Sequence, residues 1–433
     1  MLHRHTQKSL QMMFRLAQSI ILLSLVHAQT TCNSSLQATT SPVAVNGFAW
    51  DIIATNVSAA RGIIFDSRGR LLIVQQGTGI TALTLSNETC ATLSSMTTVL
   101  QNSSLNHGIE FSPDGSTLYA SSANSAWSWT YNSSDASVSN AKLLVTNMGG
   151  TSHSTRTLHI SPSRPNLLVI SRGSDGNLDA SAATISSGHS QVKVFDLNQV
   201  PPGGYDYTTD GGLLAYGVRN EVGITSDWRG DIWGVMNSAD DLERNGTSIS
   251  KDNPAEELHY CSVLFVLLKL IQVGDPTKPQ SWDFGYPDCF TVWDPSPFDP
   301  PLLTGQQWTM SPNSTFNDTT CNRKDEKARL AFQAHSAPLD IKFFYPIDKT
   351  CSNASEVNEW GSFPCSWNGT AIVSFHGSWD RDPPTGYKVV YIPWSSDLTQ
   401  PASPSDSQHG YQNLLFTQAV EDGPNDCPNG CTR

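Results

Sequence analysis

The sequence predicts an all-β fold, a β-propeller whose last blade is incomplete. Three observations carry this. A unit recurs along the chain: an apolar–x–apolar step, a turn rich in Pro, Asp or Gly, then a second apolar run, which is the period-two signature of strand, tight turn, strand. The first four units start about 45 to 65 residues apart, an interval that suits propeller blades of four strands each, and the spacing lengthens before the fifth. No helical periodicity runs for any length.

In order, the units are "RGIIFDSRGRLLIV" from Arg61, "HGIEFSPDGSTLYAS" from His107, "RTLHISPSRPNLLVIS" from Arg156 and "RNEVGITSDWRGDIWGV" from Arg219. A fifth, "APLDIKFF" from Ala337, meets its partner "GTAIVSFHGSW" after a cysteine-flanked excursion. The chain ends at Arg433, where a sixth unit would begin. A propeller needs its last blade to close the ring and protect strand edges, so a truncated final blade is expected. A five-bladed or open arrangement is the alternative.

Composition bounds the context. The 433 residues, 38% hydrophobic, suffice for a large core. Only 15% are charged, against an average of about 25%. The net charge of −13 argues against nucleic acid or an anionic membrane as a partner. Arg4, Lys8 and Arg15 precede "LAQSIILLSLVHA", too short to span a bilayer, so residues 1–28 read as a signal peptide and 29–433 as the propeller domain of a secreted protein. Ten N-x-S/T sequons, at Asn33, Asn56, Asn87, Asn102, Asn132, Asn245, Asn313, Asn317, Asn353 and Asn368, fit a glycoprotein. Nine cysteines match no zinc spacing and read as disulfide partners with one left over. The run "CSVLFVLLKLIQ", 261–272, is the most apolar of the mature chain and lies between polar, turn-like segments. It reads either as an insertion foreign to the fold or as a buried strand or short helix. Deleting it leaves eight cysteines, which makes Cys261 the odd one.

Four motifs together, "GGTSHSTRTLHISP", "YGVRNEVGITSDWRGDIWGVMNSADD", "AHSAPLDIKFF" and "FHGSWDRDPPTGYKVVYIP", resemble the secreted fungal sugar (pyranose) dehydrogenases that depend on pyrroloquinoline quinone (PQQ). These sorbosone dehydrogenase-like proteins are relatives of bacterial soluble glucose and aldose sugar dehydrogenases. The likeness covers about residues 40 to 431. It implies a six-bladed β-propeller that holds PQQ and a Ca2+ ion over its central channel. The implied substrate is a small sugar, and the implied electron acceptor is a cytochrome domain or another protein.

The resemblance also assigns residues. The cofactor carries the redox chemistry, and the protein supplies position, charge and a base. His153 matches the family's general base, a task that suits a neutral imidazole; read alone, it is a histidine in a Gly/Ser turn. Arg219 and Asn220 match a pair that faces the quinone, where a cation stabilises the anionic reduced form. Backbone carbonyls of Met236 and Asn237, in "VMNSADD", are the implied calcium ligands, since calcium takes oxygen; this turn departs from the bacterial pattern. Arg61, His107, His335 and His376 are candidates for the cofactor carboxylates. Asp175 is a candidate to orient His153, and Trp379 to stack on a sugar. A glycan- or protein-binding propeller without catalysis, or a calcium-dependent lactonase-type hydrolase, remain the rival readings.

Overall fold

The repeating units fold as five mainly antiparallel sheets of four or five strands, the blades of a β-propeller. The computed structural model describes residues 35–36, 42–86, 90–150, 152–262, 282–345 and 363–417. Blade 1 runs from Ala60–Phe65 to Leu93–Gln101, blade 2 from Leu105–Phe111 to Ser137–Thr146, and blade 3 from Leu158–His159 to Gly212–Tyr216. Blade 4 begins at Glu221–Ser226 and ends at Leu330–Phe332; blade 5 begins at Pro338–Phe343 and ends at Gln412–Thr417. The signal peptide, residues 263–272 of the apolar run and the C-terminus through Arg433 lie outside the described residues. Cys261 itself closes strand Glu256–Cys261 and pairs with Ile232. Among the described residues no helix is long and apolar enough to cross a membrane.

The second strand of each blade explains the apolar runs in the sequence. It lies inside its sheet against the next blade, so "LLIV", "LLVIS" and "IWGVM" are buried almost throughout. Four interblade cores result. Leu72 and Val74 pack on Leu118 and Trp129; Tyr119 and Leu144 on Leu168 and Ile170. Val169 and Val192 pack on Ile224 and Ile232; Trp233 and Val235 on Val373 and Val390. Blade 1 also exposes Ile63 (54%) and Phe65 (59%) on its innermost strand. An apolar cavity of about 690 Å3 flanks blade 5, lined in part by Trp50, Phe375, Tyr387 and Leu415.

Glycine sets how closely the innermost strands approach one another. A Cβ on Gly62 would lie 2.3 Å from the His107 carbonyl oxygen, and one on Gly108 would lie 2.3 Å from that of Arg156. On Gly223 it would meet Asp340 Cα at 2.6 Å. The "RG", "HG" and "VG" steps of the repeats are therefore the places where one blade's backbone touches the next.

Three outer edges are covered by strands from elsewhere in the chain. Tyr205–Asp206 pairs in parallel with blade 2, Trp282–Asp283 in parallel with blade 3, and Pro42–Ala44 antiparallel with blade 5. Between the second and fourth blade-4 strands the chain makes a long excursion that the repeat pattern did not resolve. It contains a helix, Asp318–Lys324, capped by Asn317, and a disulfide between Cys289 and Cys321. Tyr286, Phe290 and Trp308 give it its own small core. Cys261 is a buried free thiol, in keeping with its reading as the odd cysteine.

Blade 4 buries a charged triad at its contact with blade 3. His259 Nδ1 lies 2.9 Å from Glu221 Oε2, its Nε2 lies 2.8 Å from Glu257 Oε2, and the ring stacks on Phe284. Burial opposes the imidazolium, but the two carboxylates prevail and raise its pKa from 6.5 to about 9. A raised folded-state pKa contributes stability that is full below pH 6.5 and is lost as pH rises through about 9. Thermal melts of the wild type should therefore drop across that window, and His259→Gln should flatten the slope. A Gly62→Ala or Gly108→Ala variant should lose about 1–3 kcal/mol in denaturant unfolding, because the obstructing atom is backbone.

Candidate active site

Hairpin geometry decides where the motif residues meet. In an antiparallel pair, the start of the innermost strand and the end of the second strand lie at the same end of the blade. His153, Arg219–Asn220 and His335 precede innermost strands, while Ser174, Asn237–Asp240 and His376–Asp380 follow second strands. All of them are thereby delivered to one mouth of the ring. Most line a single polar cleft of about 220 Å3, with His153, Arg219 and Asn220 on one wall and His335, His376 and Trp379 on the other.

His153 is held from behind. Its Nδ1 lies 2.9 Å from Ser174 Oγ and 3.0 Å from the Ser174 carbonyl oxygen. Ser174 Oγ donates its own proton to the Gly176 carbonyl at 2.7 Å. The hydroxyl can therefore only accept from the ring, which places the proton on Nδ1 and leaves the Nε2 lone pair free. Nε2 makes no hydrogen bond among the described residues. Burial and the positive charge of Arg219 push the imidazole down from 6.5 to about 4, so it is neutral above that pH. Gly173 makes room for this wall: a Cβ there would lie 2.7 Å from Asn220 Oδ1 and 2.8 Å from His153 Cβ. Asp175, the sequence candidate for orienting His153, instead accepts from the Ser152 N–H at 3.0 Å. Ser174, its neighbour, contacts the ring.

Arg219 is buried and its guanidinium is fully engaged. Nε donates to the Asn177 carbonyl at 3.0 Å, and Nη2 to Asn177 Oδ1 at 2.8 Å and Asp240 Oδ2 at 2.9 Å. Nη1 donates to the Ser238 carbonyl and reaches that of Asn237 at 3.5 Å. Arg219 thus offers the cleft a fixed charge and draws two carbonyls of the following turn together. Those carbonyls belong to Asn237 and Ser238. Met236 is the last residue of its strand, with its sulfur accepting the Arg219 backbone N–H at 3.0 Å. Asn220 is 8% exposed and lines the cleft, and its side-chain amide makes no hydrogen bond among the described residues.

The opposite wall carries alternating charge. His335 Nδ1 lies 3.0 Å from Asp380 Oδ2 and 3.8 Å from Asp240 Oδ1, while Nε2 donates to the Ser250 carbonyl. Burial disfavours its charge, but Asp240, Asp380 and Glu256 outweigh burial and raise it to about 10. Both ring nitrogens are spent on the protein, so His335 offers charge rather than a free donor. His376 is exposed, with Nδ1 3.3 Å from the Gly377 carbonyl oxygen. Trp379 stands 59% exposed at the rim.

Arg61 and His107 do not join this group. Both face a separate chamber of the central channel, about 220 Å3 in volume, together with Thr157, Asp340 and Lys342. His107 Nε2 lies 3.1 Å from Thr157 Oγ1. Burial and the Arg61 and Lys342 charges lower its pKa to about 4. Sequence reasoning missed Asn177, Ser174, Glu256 and Asp380 as parts of the site. Asp380 lies inside the quoted "FHGSWDRD" motif, whereas Asn177, Ser174 and Glu256 stand in loop and strand contexts that give no chemical signal.

A β-propeller with a neutral imidazole and a fixed cation in one polar cleft is what the fold and the cleft define, and comparison with known proteins names the family. A family model described as TrAA12-like matches residues 42–433, and the chain belongs to that family. It is 36% identical over 444 residues to the pyrroloquinoline quinone-dependent sugar dehydrogenase of Hypocrea jecorina, covering 97% of this chain and 93% of the relative. It is 37% identical over 380 residues to the pyrroloquinoline quinone-dependent pyranose dehydrogenase of Coprinopsis cinerea, covering 86% of this chain but 48% of the relative, so it spans about half that protein's length. The holo PQQ domain of the Coprinopsis cinerea pyranose dehydrogenase superposes with a TM-score of 0.78 at 35% identity over 92% of each chain. The calcium structure of the Trichoderma reesei family AA12 enzyme superposes at 0.76 and 35%, over 89% of this chain and 90% of that one.

The contacts around His153 define a measurable property. In an NMR titration its imidazole should titrate near pH 4, well below an ordinary histidine, with assignment from a His153→Gln variant. A midpoint near 6.5 would contradict the buried, Arg219-facing placement.

Proposed function

We propose that this chain is a secreted oxidoreductase that oxidises a pyranose or keto-sugar at its anomeric carbon, using calcium-bound PQQ and passing electrons to a haem protein or another acceptor. The observation that carries the reading is the pairing of a neutral, oriented His153 with the fixed charge of Arg219 in one cleft.

The residues present fit a planar, anionic quinone. Asn220 brings an uncommitted amide, His376 an exposed ring, and Arg219 and the charged His335 fixed cations that Asp240 and Asp380 hold in place. When bound, the quinone supplies a two-electron acceptor for the hydride that leaves the anomeric carbon. His153 Nε2 accepts the proton of the anomeric hydroxyl, and Ser174 keeps the ring in the tautomer that permits it. Arg219 stabilises negative charge that develops in the cleft without having to reorganise. Trp379 offers a face on which a sugar ring can stack. Arg61 and His107 line the neighbouring chamber, which shares Leu339 with this cleft.

For calcium, the Asn237 and Ser238 carbonyls supply oxygen ligands of the right kind. A divalent ion there would meet the Arg219 guanidinium, so its retention calls for an anionic ligand between them. Calcium and the quinone should accordingly bind together: calorimetry should find much weaker calcium uptake without PQQ than with it. The reading also takes in a sixth blade between blades 5 and 1, which would cover Ile63, Phe65 and the apolar flank of blade 5.

The test is dye reduction with a panel of sugars after calcium and PQQ are added to the secreted protein. His153→Ala should lower kcat by about 10²–10⁴-fold while leaving cofactor binding intact. Absence of quinone binding, or lactone hydrolysis without any quinone, would sink the proposal.

A further inference from the structure

A buried carboxylate behind the cleft joins its two walls. Glu256 opens the third strand of blade 4, is 4% exposed and lines the cleft. Its Oε2 accepts the backbone N–H of Ser238 at 2.6 Å, and its Oε1 accepts that of Ala337 at 3.1 Å. These two N–H groups belong to different blades. Ser238 lies in the turn whose carbonyls meet Arg219, and Ala337 lies in the turn that carries His335. Asn237 Nδ2 repeats the link by donating to the Pro338 carbonyl at 2.6 Å.

The turn on the blade-5 side needs holding. His335 has φ +60° and Ala337 φ +52°, two non-glycine residues in the left-handed region within three positions. Such backbone persists only where its surroundings over-determine it. The surroundings are the Ser336 hydroxyl on the Gln333 carbonyl, His376 N–H on the Ala337 carbonyl, Gly377 N–H on the Ser336 carbonyl, and the Glu256 carboxylate. Of these, the Glu256 carboxylate ties the turn's backbone to another blade's site loop, beside the His335–Asp240 ion pair. Burial raises the Glu256 pKa to about 7, while the two N–H groups and the His335 charge favour its ionised form; charge-assisted bonds from backbone N–H to such a carboxylate are among the stronger hydrogen bonds.

We propose that Glu256 is a positioning residue, a carboxylate clamp that sets the distance between the Arg219–Asn237–Ser238 wall and the His335–His376 wall and thereby fixes the width of the cofactor cleft. The proposal rests on the quinone reading for the identity of the ligand, but the clamp itself is a property of the protein alone. Glutamine at this position keeps the volume and can accept from one N–H only, because its NH2 group meets the second. Aspartate is one methylene shorter and cannot span both.

Hydrogen–deuterium exchange on the quinone-free protein tests the clamp directly. In Glu256→Gln, peptides covering 234–241 and 333–340 should both exchange faster, while blades 1 and 2 remain unchanged. Acceleration of only one segment, or of neither, overturns the proposal. In parallel, fluorescence titration with PQQ and calcium should give a dissociation constant raised about tenfold in Glu256→Gln and in Glu256→Asp. The melting temperature should move little in Glu256→Gln, which separates a widened cleft from a loosened fold. Unchanged PQQ affinity beside a wild type that binds overturns the clamp alone. A wild type that binds no PQQ overturns the quinone reading, and the exchange result then stands by itself.

Discussion

Close approach of the innermost strands around the axis is the constraint on which the rest depends. Gly62, Gly108 and Gly223 let one blade's backbone lie against the next where no side chain fits. Only at that spacing do interblade cores such as Leu72–Leu118 and Val235–Val373 close. Only at that spacing, too, can residues from neighbouring blades bond across the axis. His159 does so by reaching Glu110 on blade 2 and Ser226 on blade 4. A wider ring would leave the mouth residues in separate loops.

The mouth is built from charges that satisfy one another before any ligand arrives. Arg219, Asp240, His335 and Asp380 alternate in sign across four loops, and the cationic members have few uncommitted donors. Such a network is costly to bury and holds its geometry because each partner is locked by another. The uncommitted groups are few: His153 Nε2, the Asn220 amide and the exposed His376 ring. That division separates the scaffold of the cleft from the atoms that face a ligand.

Much of this was legible in the sequence, for a physical reason. Strand–turn–strand repeats write their period directly, so five blades could be placed by their turns and apolar runs. Hairpin geometry sends residues that precede the first strand or follow the second to one mouth, and His153, Arg219, Asn220, Asn237, His335 and His376 do converge there. The same rule failed for Arg61 and His107, which sit inside their strands and face the channel instead. It could not find Ser174 or Glu256, since a serine after a strand and a glutamate within one carry no periodic signal. Nor did it find the Asp318–Lys324 helix, whose seven residues are too few for a period. Asp175 was the reasonable acid to place behind His153, and the hydroxyl next to it took the part, because a backbone carbonyl and an alcohol suffice to hold a neutral ring.

The borrowed edge strands have a consequence for how the chain is made. Blade 2 is not sealed until Tyr205–Asp206 has emerged, and blade 3 waits for Trp282–Asp283. Pro42–Ala44, synthesised before every blade, finds its partner only when Gln412–Thr417 appears near the other terminus. Each sheet therefore stays open at its rim for tens to hundreds of residues of translation, and its final pairing spans a long loop. The nascent protein must carry unfinished sheets for most of its synthesis, and a strand near residue 415 locks one near residue 43.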